Sequence, residues 1–376
     1  MSDRQWQWVT SDEALRAAID ALMGEAAVAI DTEFRRRDTF YPQVALIQMA
    51  TQGQCWLIDP LTLSDPAPLK QLLLNPDVIK VLHSASEDLE VFERWLGVLP
   101  QPLFDSQKAA AMLNMGFGLS YRALVEQMLG ITVDKEETQS DWLARPLTDN
   151  QESYAAQDVI YLAELFPELL KKVAALGRLD WVLEEGREAA TGGRGPLAKF
   201  KSAWKLSAAQ QAAIAALVEW REGQAQQRDK PRGWVLNDKV ITELARKMPE
   251  HSRELETITG LPQGLVRRAG EAMITLINNP SEEARLAAIS AFQKPPTSDI
   301  KARAKALGAH AEALAGKLGM NVEITVPNRE LELIVSDALN LPIVRPSSWS
   351  GWRGEWIIGP LLQQASRMNE INDETS

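Results

Sequence analysis

The run AVAIDTEF, residues 27–34, ends an apolar stretch in two carboxylates, Asp31 and Glu33. Side chains at i and i+2 of a strand share a face, so the two stand side by side. Like charges so placed repel, and ionised carboxylates are seldom buried without a partner. Two further acids occupy comparable settings. Asp88 lies in LHSASEDLEVF, early in a helix that follows an apolar strand. Asp158 lies in NQESYAAQDVIYL, four residues after Tyr154, and i and i+4 share a helix face. Four carboxylates meeting at one edge of a sheet are balanced by two divalent cations. Oxygen donors select hard ions, Mg²⁺ or Mn²⁺, and Mg²⁺ commonly shares its sphere with water and substrate phosphate. A pair of such ions activates water and stabilises a leaving oxygen. Phosphodiester hydrolysis is the chemistry these residues suit.

Taken singly, each residue has a plainer reading. Asp31 alone suits a turn or a cap, and Asp88 suits any helix N-terminus. Tyr154 fits a core aromatic with its hydroxyl at the surface, and Asp158 fits a solvated helix position. The ordered set, with its flanking residues, is what carries the metal reading.

The elements that must position these groups are legible. Residues 11–23 have helical periodicity. AVAIDTEF, VALIQMA and CWLID are short β-rich runs separated by turn residues, a three-stranded meander. Helix-like PLKQLLL, strand-like VIKVLH, helix-like SEDLEVFERWL and strand-like PLFD follow, and then helices, including a long one over 148–172. Three antiparallel strands followed by alternating helix and strand predict an α/β domain with a mixed sheet. TGGRGP, residues 191–196, reads as a linker. Beyond it the patterns are helical. VLNDKVITEL from Val235 and VPNRELELIV from Val326 form a faint repeat, which suggests two small helical modules.

Composition sets the frame. At 376 residues the chain exceeds one typical core. One cysteine, Cys55, excludes a disulfide framework, and His83, His251 and His310 form no zinc spacing. The polar N-terminus and the lack of a long apolar run predict a cytoplasmic protein with no membrane partner. The net charge of −11 argues against a simple cationic nucleic-acid binder. It is uneven: residues 1–200 carry 18 Lys+Arg against 30 Asp+Glu, and residues 201–250 carry 9 against 6. An acidic catalytic module beside a more basic binding module is one reading, and ordinary surface variation is the other.

AIDTEF, LHSASEDLEVF and DWLARPLTDNQESYAAQDVIYL resemble the three exonuclease motifs of the DEDD superfamily. The tyrosine four residues before the last aspartate marks its tyrosine branch, and SDWLARPLT is similar to the bacterial ribonuclease D family. The resemblance covers about residues 6–175, then a helical stretch near 208–288 that looks like an HRDC domain. The tail, with SGWRGE, is similar to a second such module. It implies a ribonuclease-H-like exonuclease domain over 1–190 and a linker over 191–206. An HRDC domain over 207–288 and a second HRDC-like helical domain over 289–376 complete the expectation. The implied activity is 3′→5′ exoribonuclease hydrolysis releasing nucleoside 5′-monophosphates, in tRNA 3′ processing. Asp31, Glu33, Asp88 and Asp158 would hold two metal ions, and Tyr154 would orient the attacking water. A free tyrosine ionises near 10, so positioning suits it better than base catalysis.

Other residues carry open readings. His83 is either a contact near the substrate or a satisfied histidine at a strand end. Arg35, Arg36 and Arg37 either hold phosphate or sit in a solvated hairpin loop. Lys201, Lys205, Arg221, Arg228, Lys230 and Arg232 with Trp204 and Trp234 give a basic and aromatic mixture suited to RNA, with Trp220 assigned to the core. Trp349, Trp352 and Trp356 fit one packed helix face. The expected protein is a monomer acting on RNA with a 3′ extension. The rivals are a DNA-directed exonuclease of the same fold and a non-catalytic RNA-binding scaffold. No GxxxxGK[ST] loop is present, which argues against an ATPase.

Overall fold

A computed structural model describes residues 6–133, 140–189 and 195–374. The chain packs as two units, one of residues 1–35, 42–192 and 298–376, the other of residues 36–41 and 193–297. The first part of the expected linker, residues 191–194, lies outside the described residues.

The first unit is built on six strands: β1 (Gln7–Val9), β2 (Ala27–Arg35), β3 (Gln43–Thr51), β4 (Gln54–Ile58), β5 (Ile79–Leu82) and β6 (Leu103–Asp105). They lie in the order β1-β4-β3-β2-β5-β6. The pairs β2–β3 and β3–β4 are antiparallel, whereas β1–β4, β2–β5 and β5–β6 are parallel. The mixed sheet is the one expected, with β1 added; residues 7–9 have no apolar pattern of their own and are strand through pairing with β4. Helices α1 (Asp12–Leu22), α2 (Ala67–Leu74) and α3 (Ser86–Leu96) cover one face. There Leu15, Ile19, Leu72 and Phe92 pack with Val28, Ile30, Ile47 and Met49. Helices α4 (Ser106–Met112), α5 (Tyr121–Leu129) and α6 (Asp149–Ala175) cover the other, where Ala29, Leu46 and Ala50 meet Ala155, Ala156 and Val159. A sheet covered on both faces needs apolar residues at nearly every position, which is why β2 and β3 read as continuous runs. The last helix of this series, α7 (Leu179–Ala189), approaches β6 closely. A Cβ on Gly186 would come within 2.3 Å of the Leu103 carbonyl.

Helix α6 begins in a capping box, Thr148 receiving the Gln151 amide while the Gln151 side chain returns to the Thr148 backbone. The residues before it are held by Arg145. Its Nε and Nη2 donate to the two oxygens of Asp59 at 2.6 and 2.8 Å, and its Nη1 donates to the Trp142 carbonyl. Nη2 also donates to the carbonyl of Ala45 at 2.6 Å. Ala45 is the residue that β3 inserts where the register with β2 shifts between Glu33 and Phe34, so Arg145 ties a bulge beside Glu33 to the entry of α6. Arg145→Ala is expected to cost about 3 kcal/mol, the lower end for breaking a buried pair, because buried Asp59 keeps the Leu61 amide but loses its counter-charge. A urea midpoint within error of the parent would show that the tie carries no stability.

The tail of the first unit packs against α7. Trp352 stacks on Trp181 with ring centroids 5.0 Å apart, and the Arg353 guanidinium pairs with buried Glu185. Trp349 and Trp352 are buried as expected, but Trp356 is 46% exposed. The expectation of one helix face fails because this segment passes through a 3-10 turn, a short α-turn and a π-turn, which breaks the 3.6 periodicity.

The second unit is helical. A 21-residue helix (Ala208–Arg228), a single turn (Arg232–Val235) and a third helix (Asp238–Lys247) run in series. The same series recurs in the first unit as Ser298–Leu318, Val322–Thr325 and Asn328–Ala338. Corresponding starts are 90 residues apart, as 208 to 298, 232 to 322 and 238 to 328. Trp220 is half-buried against the core of the second unit. Arg221 does not belong with the RNA-facing residues. It is 1% exposed, and its guanidinium binds the Asp238 carboxylate and the Leu236 carbonyl. No described helix of either unit is long and apolar enough to cross a membrane.

Candidate active site

Strands β2 and β5 run parallel, so their carboxyl ends open at the same edge of the sheet, the usual place for a ligand in α/β folds. Asp31 and Glu33 project from β2 toward α6, which presents Asp158. One carboxylate oxygen from each of the three lies within 4.8 Å of the others. Asp88 arrives from the opposite face of the sheet, on the first turn of α3, and accepts a hydrogen bond from Thr32 Oγ1. It stands outside the three-residue cluster, yet its charge is felt at Glu33 and it feels that of Asp31. The structure thus gathers all four sequence-predicted acids at one edge, three converging and one alongside.

Their electrostatics are those of a site built for positive charge. Burial, then the neighbouring Asp158, pushes Asp31 well above the ordinary carboxylate range. Burial followed by Asp31, Asp158 and Asp88 does the same to Glu33, and burial followed by Asp31 raises Asp88. Each shift records the cost of holding an anion there without a counter-charge. The all-oxygen donor set and this shared deficit of positive charge fit a hard divalent cation.

Tyr154 lies one turn before Asp158 on α6, and the Trp142 ring sits 6.1 Å from its ring. Burial, the charges of Asp158, Glu33 and Asp31, and a hydrogen bond to Asp158 all push its hydroxyl above the ordinary tyrosine value. It is therefore a proton-bearing group. A pocket of about 130 Å³ is lined by Asp31, Tyr154 and Asp158 together with His83, Tyr121 and Arg122. His83 has both ring nitrogens engaged, Nδ1 with Ser106 Oγ at 2.9 Å and Nε2 with the Leu119 carbonyl at 3.0 Å. It lines the pocket as a satisfied residue, the second of its two sequence readings. Arg36 and Arg37 are exposed, residues 36–41 group with the second unit, and none of Arg35–Arg37 lines the pocket.

Three supporting residues escaped the sequence reading. Buried Asp105, at the end of β6, accepts from the Ser84 and Ala85 amides and from the Gln107 amide. It fixes the turn from β5 into α3 and hence Asp88, while also capping α4. The run LFDSQK carried the cap signal. Thr32, between the two strand acids, holds Asp88. Tyr121 lines the pocket and donates its hydroxyl to the Gln157 carbonyl, one residue before Asp158; no pattern in the sequence marked it.

Comparison with known proteins identifies the family. A 3′-5′ exonuclease family model matches residues 6–174, and an HRDC domain model matches residues 210–277. Ribonuclease D of Pseudomonas paraeruginosa is 39% identical over 359 residues, 93% of this chain and 94% of that one. The chain belongs to the ribonuclease D family. Ribonuclease D of Escherichia coli is 34% identical over 363 residues. Its crystal structure, described as that of an exoribonuclease involved in structured RNA processing, superposes with a TM-score of 0.81 over 96% of this chain and 99% of that one. This chain is a 3′→5′ exoribonuclease, and its acidic cluster is consistent with dependence on divalent metal. Its fold is the exonuclease domain with a mixed sheet, followed by a helical HRDC region.

Proposed function

We propose that Asp31, Glu33, Asp88 and Asp158 together hold two divalent cations, Mg²⁺ or Mn²⁺, and that Tyr154 orients the attacking water. The convergence of three carboxylate oxygens within 4.8 Å, at the edge of a pocket, is the observation that supports this most strongly. When bound, the ions supply the means to acidify water and to stabilise charge on the scissile phosphate and the leaving oxygen. The chain's own groups do the rest. Thr32 and Asp105 hold Asp88 in place, Trp142 flanks Tyr154, and the Tyr154 hydroxyl keeps its proton and aims it at an oxygen in the pocket. Hydrolysis from the 3′ end releases nucleoside 5′-monophosphates.

The substrate in this reading is RNA with a short 3′ extension beyond a stable structure, such as a tRNA precursor. The Escherichia coli relative's part in structured RNA processing supports it. Lys230, whose ammonium lies 5.8 Å from the centroid of 66% exposed Trp234, is the surface in the helical region best suited to an RNA strand. The recurrence of the three-helix series supports reading residues 289–376 as a second HRDC-like module.

The test is a time course on 5′-labelled RNA carrying a 3′ extension past a hairpin, with Mg²⁺, Mn²⁺ or EDTA and an all-DNA copy alongside. A metal-dependent ladder shrinking from the 3′ end and stalling near the hairpin is expected. Degradation of the DNA alone would move the substrate assignment to DNA. Intact RNA with binding retained would contradict the catalytic reading.

A further inference from the structure

Gln48, in the middle of β3, is fully buried, and neither its amide nitrogen nor its carbonyl oxygen has a hydrogen-bond partner in the protein. An amide buried without compensation is costly, and such orphans in native proteins call for an explanation. Its place in the sheet suggests one. The register pairs Trp8 with Leu57, Leu57 with Gln48, and Gln48 with Asp31. Directly opposed residues share a face, with Cβ atoms about 4.5–5.5 Å apart. Leu46 and Ala50, two residues to either side of Gln48, belong to the core under α6. Gln48 therefore shares that face and is the cross-strand neighbour of Asp31.

Two polar side chains close to Asp31 are already engaged. His83, which shares the pocket with it, has both ring nitrogens engaged. The hydroxyl of Thr32 serves Asp88. The Gln48 amide, by contrast, is a donor with no partner in the protein on the strand position opposite Asp31. We infer that Gln48 is a positioning residue for the metal centre, its Nε2–H donating to the Asp31 oxygen turned away from Glu33 and Asp158. That hydrogen bond fixes which lone pairs Asp31 offers to a cation. A neutral amide suits the task, because it donates without adding a positive charge that would compete with the ion.

This inference rests on the carboxylates being metal ligands, and its test separates the two. Mn²⁺ binding is measured by titration calorimetry on the full chain and on Gln48→Met, with melting temperatures in EDTA alongside. Loss of a group that orients a metal ligand weakens binding by about 10-fold or more. That weakening is expected here, with a melting temperature in EDTA equal to the parent's or higher. Catalysis by the variant should recover as Mn²⁺ is raised. Unchanged Mn²⁺ affinity would overturn the inference and assign the amide to a trapped water. A parent chain that binds no Mn²⁺ would remove the metal reading itself, and this inference with it. Should Gln48→Met not fold, Gln48→Asn keeps an amide but withdraws its reach: weakened Mn²⁺ binding is again expected, and parental binding would overturn the inference.

Discussion

Asp31→Asn is expected to lower cleavage of RNA by on the order of 10³-fold, since a lost metal contact removes several kcal/mol of transition-state stabilisation and each 1.36 kcal/mol is about tenfold. The same substitution should leave the metal-free protein as stable as the parent or more so. The sign follows from the shifts of the cluster. Asp31, Glu33 and Asp88 all have folded-state pKa values raised above those of the open chain. Such groups favour the folded state below their ordinary range, near pH 4, and that contribution is lost as pH rises through the raised values. At neutral pH without metal the cluster therefore opposes folding, and removing one of its charges relieves it. The advantage of the variant in EDTA should shrink as pH falls toward 4. Thermal melts across pH, with and without Mg²⁺, check this together with the rate assay. A variant that turns over normally would take Asp31 out of the site.

Tyr154→Phe should reduce turnover by about 10²-fold, the low end for a group that positions a proton, while leaving Mn²⁺ binding intact. Because burial and the surrounding carboxylates push the Tyr154 hydroxyl above its ordinary value, it holds its proton throughout the working range. The pH–rate profile of the parent should accordingly have no alkaline limb that the phenylalanine variant lacks. Loss of metal affinity in Tyr154→Phe would instead mean that the hydroxyl organises Asp158 and that its effect on water is secondary.

The residues that could be found from sequence are those whose chemistry conflicts with their surroundings. Asp31 and Glu33 stood out because two acids end an apolar strand, and Tyr154 with Asp158 because helical spacing puts them on one face. The sheet was legible wherever a strand carries its own apolar pattern. β1 was not, because residues 7–9 become strand only by pairing with β4 about fifty residues on, with the Trp8 indole donating to Glu152 on α6. Asp105 and Thr32 were invisible as site residues for a similar reason: what they hold lies 20 to 56 residues away in sequence. Arg221 misled because a cation on an amphipathic helix is ordinarily solvated, and nothing local announced that half-exposed Asp238 would hold its buried guanidinium. Gln48 lies inside the apolar run VALIQMA, and a single amide in a strand acquires meaning only once the register sets it opposite Asp31.

The most direct measurement is anomalous diffraction at the manganese edge from crystals soaked in Mn²⁺. Two manganese peaks among the carboxylates of Asp31, Glu33, Asp88 and Asp158 are predicted. A protein that still shortens RNA from its 3′ end yet shows no peak among those four side chains would contradict the account.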